Sequence, residues 1–176
     1  MPIIARAPAS NMGPPPPAGL AAAICVDVVD LGLMENKFDP EAEPKPMVRL
    51  VWELSKNSQE GKPYLVRKDY TLSLHEKATL RKHLDSWRGQ HFTESELRGF
   101  DVEKVCGVPC MLLISNKKGS QGDRMFANVD AVMHNDGTLP AAVASGNYIR
   151  EKDRNPEPEG REMEPHAPTT DEDLPF

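Results

Sequence analysis

PYLVRKDYTLSLHEKATLRKHLDSWRG, residues 63–89, decides the fold, because the spacing of its apolar residues changes partway along. Tyr64, Val66, Tyr70 and Leu72 fall on one face of an extended chain, with Leu65, Arg67, Asp69 and Thr71 on the other, as in a half-buried strand. From Ser73 the spacing lengthens. Ser73 and Glu76 match the S-x-x-E capping box that opens a helix. Leu80, Leu84 and Trp87 follow at i, i+4 and i+7 with charges between them, and Gly89 stands where a left-handed cap residue belongs. The stretch predicts a strand over 63–74 and an amphipathic helix over 75–88.

Upstream, LAAAICVDVVDLGL (20–33) is β-branched and apolar and reads as a long first strand. A polar, Pro-containing loop (34–46) leads to MVRLVWEL (47–54), where Val48, Leu50, Trp52 and Leu54 alternate with Met47, Arg49, Val51 and Glu53. Downstream, a second capping box from Thr93 to Glu96 opens a short helical turn with Leu97 and Phe100 as its apolar contacts. VPCMLLIS (108–115) is apolar enough for a strand buried on both faces. A hairpin loop (116–123) and a fifth strand, RMFANVDAVM (124–133), complete the pattern. Three strands, a helix and two strands is the element order of the five-stranded Greek-key barrel called the OB-fold. One helix can plug the end of such a barrel, whereas it covers the face of an open five-stranded sheet poorly, so a mainly β barrel is expected over an open α+β sheet. Residues 1–19 read as a Pro-rich flexible arm, 20–134 as the barrel domain and 135–176 as a flexible acidic tail.

Charge divides the same way. The chain of 176 residues has a net charge of −6, and residues 151–176 carry all of it, with nine acids against three bases. Residues 45–124 hold 15 bases and 10 acids. A mildly basic body beside an acidic tail points to a polyanionic partner for the body. The chain opens with no cationic stretch followed by an apolar run and contains no apolar run of membrane-spanning length, so a reducing cytoplasm is expected.

An OB barrel takes oligonucleotides over strands two and three and with the loops joining strands one–two and four–five. Single-strand binding needs cations along the phosphates and flat side chains under the bases. The cationic candidates are Arg49 on strand two, Arg67 and Lys68 on strand three, and Lys117, Lys118 and Arg124 around the last hairpin. The aromatic candidates are Trp52, Tyr64, Tyr70 and Phe126. Alternation also offers Trp52 a place in the core, and gives Tyr64 and Tyr70 an apolar register with hydroxyls at the rim. Cys106 and Cys110, with Cys25 and His91, fall short of a structural zinc set, which draws on paired ligands. No phosphate loop, nucleophile elbow or metalloprotease helix is present in the sequence. Neither an enzyme nor a cofactor is expected.

The last six residues, Asp171-Glu172-Asp173-Leu174-Pro175-Phe176, join three acids to an apolar hook at the chain's end. They resemble the acidic tip of bacterial and phage single-stranded-DNA-binding proteins, and the order of barrel, linker and tip is similar to that family's. The segment LHEKATLRKHLDSWRGQHFT departs from the housekeeping bacterial protein and looks more like a phage-encoded replication protein of the same class. The resemblance implies a non-enzymatic protein of DNA replication, recombination and repair. It would bind single-stranded DNA on the barrel and recruit replication or recombination proteins through the tip. In that family the terminal phenylalanine enters an apolar pocket on the partner, and basic side chains meet the acids. A second expectation is an OB-type protein-interaction module in which the tail serves solubility alone.

Overall fold

The computed structural model describes residues 14–119, 122 and 124–154. Five strands form one antiparallel sheet: β1 (Gly19–Met34), β2 (Lys45–Asn57), β3 (Pro63–Thr71), β4 (Pro109–Lys118) and β5 (Met125–Met133), in the order β3-β2-β1-β4-β5. The protein is thus mainly β, as expected. The tip residues Asp171–Phe176 and the arm up to residue 13 lie outside the described residues.

β1 is the strand the rest is built on. Its first six residues pair with β4, from Gly19 opposite Ile114 to Ile24 opposite Pro109, and the stretch from Ala23 to Met34 pairs with β2. A bulge between Cys25 and Asp27 shifts the register: Cys25 lies opposite Trp52, and Asp27 opposite Val51. The extra residue, Val26, reverses the alternation, so that Cys25 faces the interior and Asp27 the outer surface.

The alternation read for β2 holds: Val48, Leu50, Trp52 and Leu54 are all buried in one core with Val66, Tyr70, Cys110, Leu112, Ile114, Val129 and Val132. The sheet curls enough for its edge strands to meet through a side chain. Lys68 Nζ on β3 donates to the Val129 carbonyl on β5 at 2.8 Å and to Asn128 Oδ1 at 3.4 Å. Among the described residues no backbone ladder joins β3 to β5. Helix α1 (Thr79–Arg88) packs against β3 and β5, sending Leu80, Leu84 and Trp87 into the core. Trp87 Nε1 donates to the Pro109 carbonyl at 3.0 Å, which ties the helix to β4.

The start of α1 corrects one expectation. Ser73 and Glu76 do not cap it: the helix begins at Thr79, and Ala78, at the cap position, has no side chain to offer. The Ser73 hydroxyl instead accepts the His75 amide at 3.2 Å, and the Ala78 amide bonds the His75 carbonyl, so residues 73–78 form turns. A serine that satisfies a backbone N–H locally competes with helix initiation. The other punctuation is as read. Gly89 takes φ 70° and closes α1, and Thr93 and Glu96 form both arms of a capping box on α2 (Glu94–Leu97). A 3-10 turn (Val102–Val105) leads into β4.

Candidate nucleic-acid interface

The hairpin joining β4 and β5 carries the clearest cluster of cations around an aromatic ring. Along β4, Cys110, Leu112 and Ile114 face the core, which leaves Leu113, Ser115 and Lys117 outward. Phe126 lies directly opposite Lys117 on β5 and shares that outer face. Its ring is 39% exposed, and the Arg124 guanidinium carbon sits 5.7 Å from the ring centre. Gly119 makes this placement possible. The ring packs against its Cα, where any Cβ would collide with Phe126 Cε2. The Gly119 amide closes the hairpin on the Arg124 carbonyl at 2.9 Å. Lys118, opposite Met125, ends β4 on the exposed side of the same hairpin.

A second group lies at the meeting of β3 and β5. Lys68 is drawn into the seam, 5.9 Å from the Tyr70 ring centre, and burial pulls its pKa below the ordinary lysine value. Asp130 beside it is held below the usual carboxylate range, first by the Ser115 hydroxyl, then by Asn128, with the charges of Lys117 and Lys68 adding to the effect. The Tyr70 hydroxyl lies 2.8 Å from His83 Nδ1. Burial and the Lys68 charge depress His83 below its ordinary 6.5, while the neighbouring Asp130 opposes the shift. The unfolded chain therefore binds this proton more readily than the folded one. The stability contributed by the neutral Tyr70–His83 pair is present above the unfolded value and lost as the pH falls through it toward the folded one. Urea unfolding at about pH 7.5 and about pH 5 is expected to show that loss. His83→Gln is expected to flatten it, and an undiminished slope in the variant would reject this origin.

From this seam a groove of about 590 Å³ runs between the end of β3 and the turns preceding α1, lined by Lys68, Thr71, Ser73, His75, Lys77 and Thr79, with Asp69, already paired with Arg49, at its margin. His75 and Lys77 are exposed. Neither was marked as a site residue from sequence, where both fell within the expected helix.

Several expected site residues are placed elsewhere. Trp52 is wholly buried, its ring centre 6.2 Å from that of Trp87, so no base can reach it. Tyr70 is 2% exposed and spends its hydroxyl on His83, which removes it from the candidates for the same reason. Tyr64 is half-buried against the core. Arg49 is engaged by Asp69 through two bonds of 2.6 and 2.9 Å, directly across from it on β3. Lys68 is spent on the seam. Arg67 is exposed on the outer face opposite Val51. Lys117, Lys118, Arg124 and Phe126 do come together on one hairpin.

The outer face of β1 and β2 is occupied by the chain itself. Residues 135–154, read as the start of a flexible tail, are held against it instead. Ala142 packs with Ala22 and Ile24, with Val26 and Leu139 at the margin. Glu53 on β2 is 3% exposed and accepts from the Ser145 amide at 2.7 Å and the Ser145 hydroxyl at 3.0 Å. Asp27 on β1 is 1% exposed and accepts from the Tyr148 hydroxyl, Arg150 Nε and the Glu151 amide at 2.8–3.0 Å. Arg150 also pairs with Glu103 at 2.5 Å, which holds that carboxyl below its usual range. Burial and the Asp27 charge push the Tyr148 hydroxyl up to about 12. The segment ends in a single helical turn (Glu151–Arg154), with the Arg154 guanidinium 5.0 Å from the Tyr148 ring centre. This strap has no apolar periodicity, and the signal for it lay in its partners: Asp27 and Glu53, each set between apolar neighbours in its strand, need donors from somewhere.

At the far end of β1 the loop to β2 presents Phe38, 97% exposed, with Leu33 at 72%. Asn36 Oδ1 fixes the Phe38 amide at 3.0 Å. Glu35, Asp39, Glu41 and Glu43 flank this ring in sequence, with Lys37 as the one base beside it, so the loop carries a net negative charge. Cys25 and Cys110 are fully buried, and desolvation pushes the Cys25 thiol up to about 12. His91 stands apart from both, paired with Asp85 at 3.3 Å. No helix among the described residues is long and apolar enough to cross a membrane. No protein-family model matches this chain, and no curated protein matches it in sequence.

Proposed function

We propose that this chain is a non-enzymatic single-stranded-DNA-binding protein of OB type, acting in phage or bacterial DNA replication and recombination. The barrel holds the strand, and the acidic tip Asp171–Phe176 recruits partner proteins. The observation that carries the reading is Phe126: a half-exposed ring flanked by Lys117 and Arg124 on the hairpin between β4 and β5. A flat apolar face beside cations suits an unpaired base and its phosphates, and suits a base locked in a duplex far less. The sheet order β3-β2-β1-β4-β5, the side-chain closure of β3 on β5 and the helix across that opening support the OB assignment. The split between a basic body and an acidic C-terminal sequence supports the division of labour.

Fluorescence anisotropy with labelled oligo-dT and duplex of equal length, across a salt series, tests the reading. Binding to oligo-dT is expected to exceed binding to duplex and to weaken steeply with salt through counterion release. Phe126→Ala is expected to weaken oligo-dT binding roughly five- to 150-fold, the worth of one stacked base at about 1–3 kcal/mol. Indifference of the wild-type chain to oligo-dT at low salt would refute it. Exposed Phe38 on its acidic loop favours the second reading, a protein-interaction module, which would then stand in its place.

A further inference from the structure

Resting on the single-strand reading above, we infer that the strand does not lie across the outer face of β2 and β3. It crosses from the β4–β5 hairpin over the β3–β5 seam into the groove between β3 and α1. Two sets of observations point that way.

The first concerns what blocks the outer face. The strap lies over β1 and β2 and holds Glu53 on that surface through Ser145. Beside it, Arg49 is held by Asp69 in a two-bond pair. A phosphate there would have to compete with Asp69 for the Arg49 guanidinium, a charge-assisted pair of two bonds, and that costs affinity.

The second concerns what is open. Lys117 pairs with Phe126 two places along β4 from the Ser115–Asn128 pair, and Asn128 Oδ1 accepts from the Lys68 ammonium at 3.4 Å, which joins the hairpin to the seam. Lys68 in turn lines the groove that His75 and Lys77 border. Phe126, Lys117, Lys68 and Lys77 thus mark out one route around the closing edge of the sheet. The groove's Thr71, Ser73 and Thr79 hydroxyls suit phosphate oxygens. Lys68 already spends its ammonium on the Val129 carbonyl, so its part is to lend positive potential to the crossing, and Lys77 supplies the exposed contact.

Amide chemical shifts of the full-length protein titrated with oligo-dT test the route, together with the affinity and salt slope of Lys77→Glu. Shifts concentrated at Lys117, Phe126, Thr71, His75 and Lys77 are expected. Lys77→Glu is expected to weaken oligo-dT binding roughly tenfold at low salt and to flatten the salt slope by about 0.7, the share of one phosphate on a single strand. Binding with shifts at Leu65 and Arg67, and none in the groove, would overturn the route while leaving the DNA-binding reading intact. A wild-type chain that does not bind oligo-dT would sink both together.

Discussion

Replacing Arg150 with alanine is expected to cost the fold about 3–5 kcal/mol in urea unfolding, the range for breaking a buried ion pair by removing one partner. Asp27 is 1% exposed, and of its three donors on the strap only Arg150 carries a compensating charge. Without it a carboxylate stays in the interior with a tyrosine hydroxyl and one backbone amide for company. The Arg150 side chain is itself 21% exposed, so water can enter the vacated space and hold the cost toward the lower end of that range. The neighbouring pair supplies the comparison. Lys152 Nζ lies 3.2 Å from Glu103, with side chains 61% and 43% exposed. Lys152→Ala is expected to cost under about 1 kcal/mol, as exposed pairs do. Equal, small losses for the two variants would mean that the strap is not secured through the Asp27 charge.

Trp52→Ala is expected to be as damaging, about 3–5 kcal/mol, because it empties the centre of the core. The indole is wholly buried against Trp87, with Leu50 and Leu54 of the same strand face also in the core. Its Nε1 has no hydrogen-bond partner among the described residues. Trp52→Phe, which removes that unsatisfied donor and leaves a smaller void, is expected to cost clearly less than the alanine change. Chemical denaturation of both variants measures this. An alanine variant of undiminished stability that had lost oligo-dT binding would return Trp52 to the DNA surface.

The strand and helix order was legible because it rests on period: alternation in β2 and β3, then Leu80, Leu84 and Trp87 on one helical stripe. Alternation names a face, and it does not say which face is inside or what covers the other. That is why Trp52 and Tyr70 stayed among the stacking candidates although their register with Val48 and Leu50 places them in the core. Arg49 looked like a DNA contact until the β2–β3 register put Asp69 across from it, a pairing that depends on the turn between the strands. The grouping of Lys117, Arg124 and Phe126 on one hairpin was legible because β4 and β5 are adjacent in sequence, so local reading was enough to bring them together. The strap was not legible: its bonds to Asp27 and Glu53 span 92 to 124 positions, and its residues follow no repeat that pattern reading detects. The groove at Lys77 was hidden by a local rival, since the Ser73 hydroxyl could cap a helix or close a turn and the structure uses the turn.

The residue inserted at Val26 in β1 has a wider effect than its size suggests. Were Val26 paired regularly in the ladder, with no bulge, Asp27 would take the inward position two residues after Cys25, and its carboxylate would be set toward the tryptophans. With Val26 bulged out of the ladder, one continuous strand changes allegiance midway, greasy on the side that seals the interior and ionic on the side that moors the returning chain. The fold's inner filling and its outer fastening are in that sense a single decision, taken at one backbone irregularity.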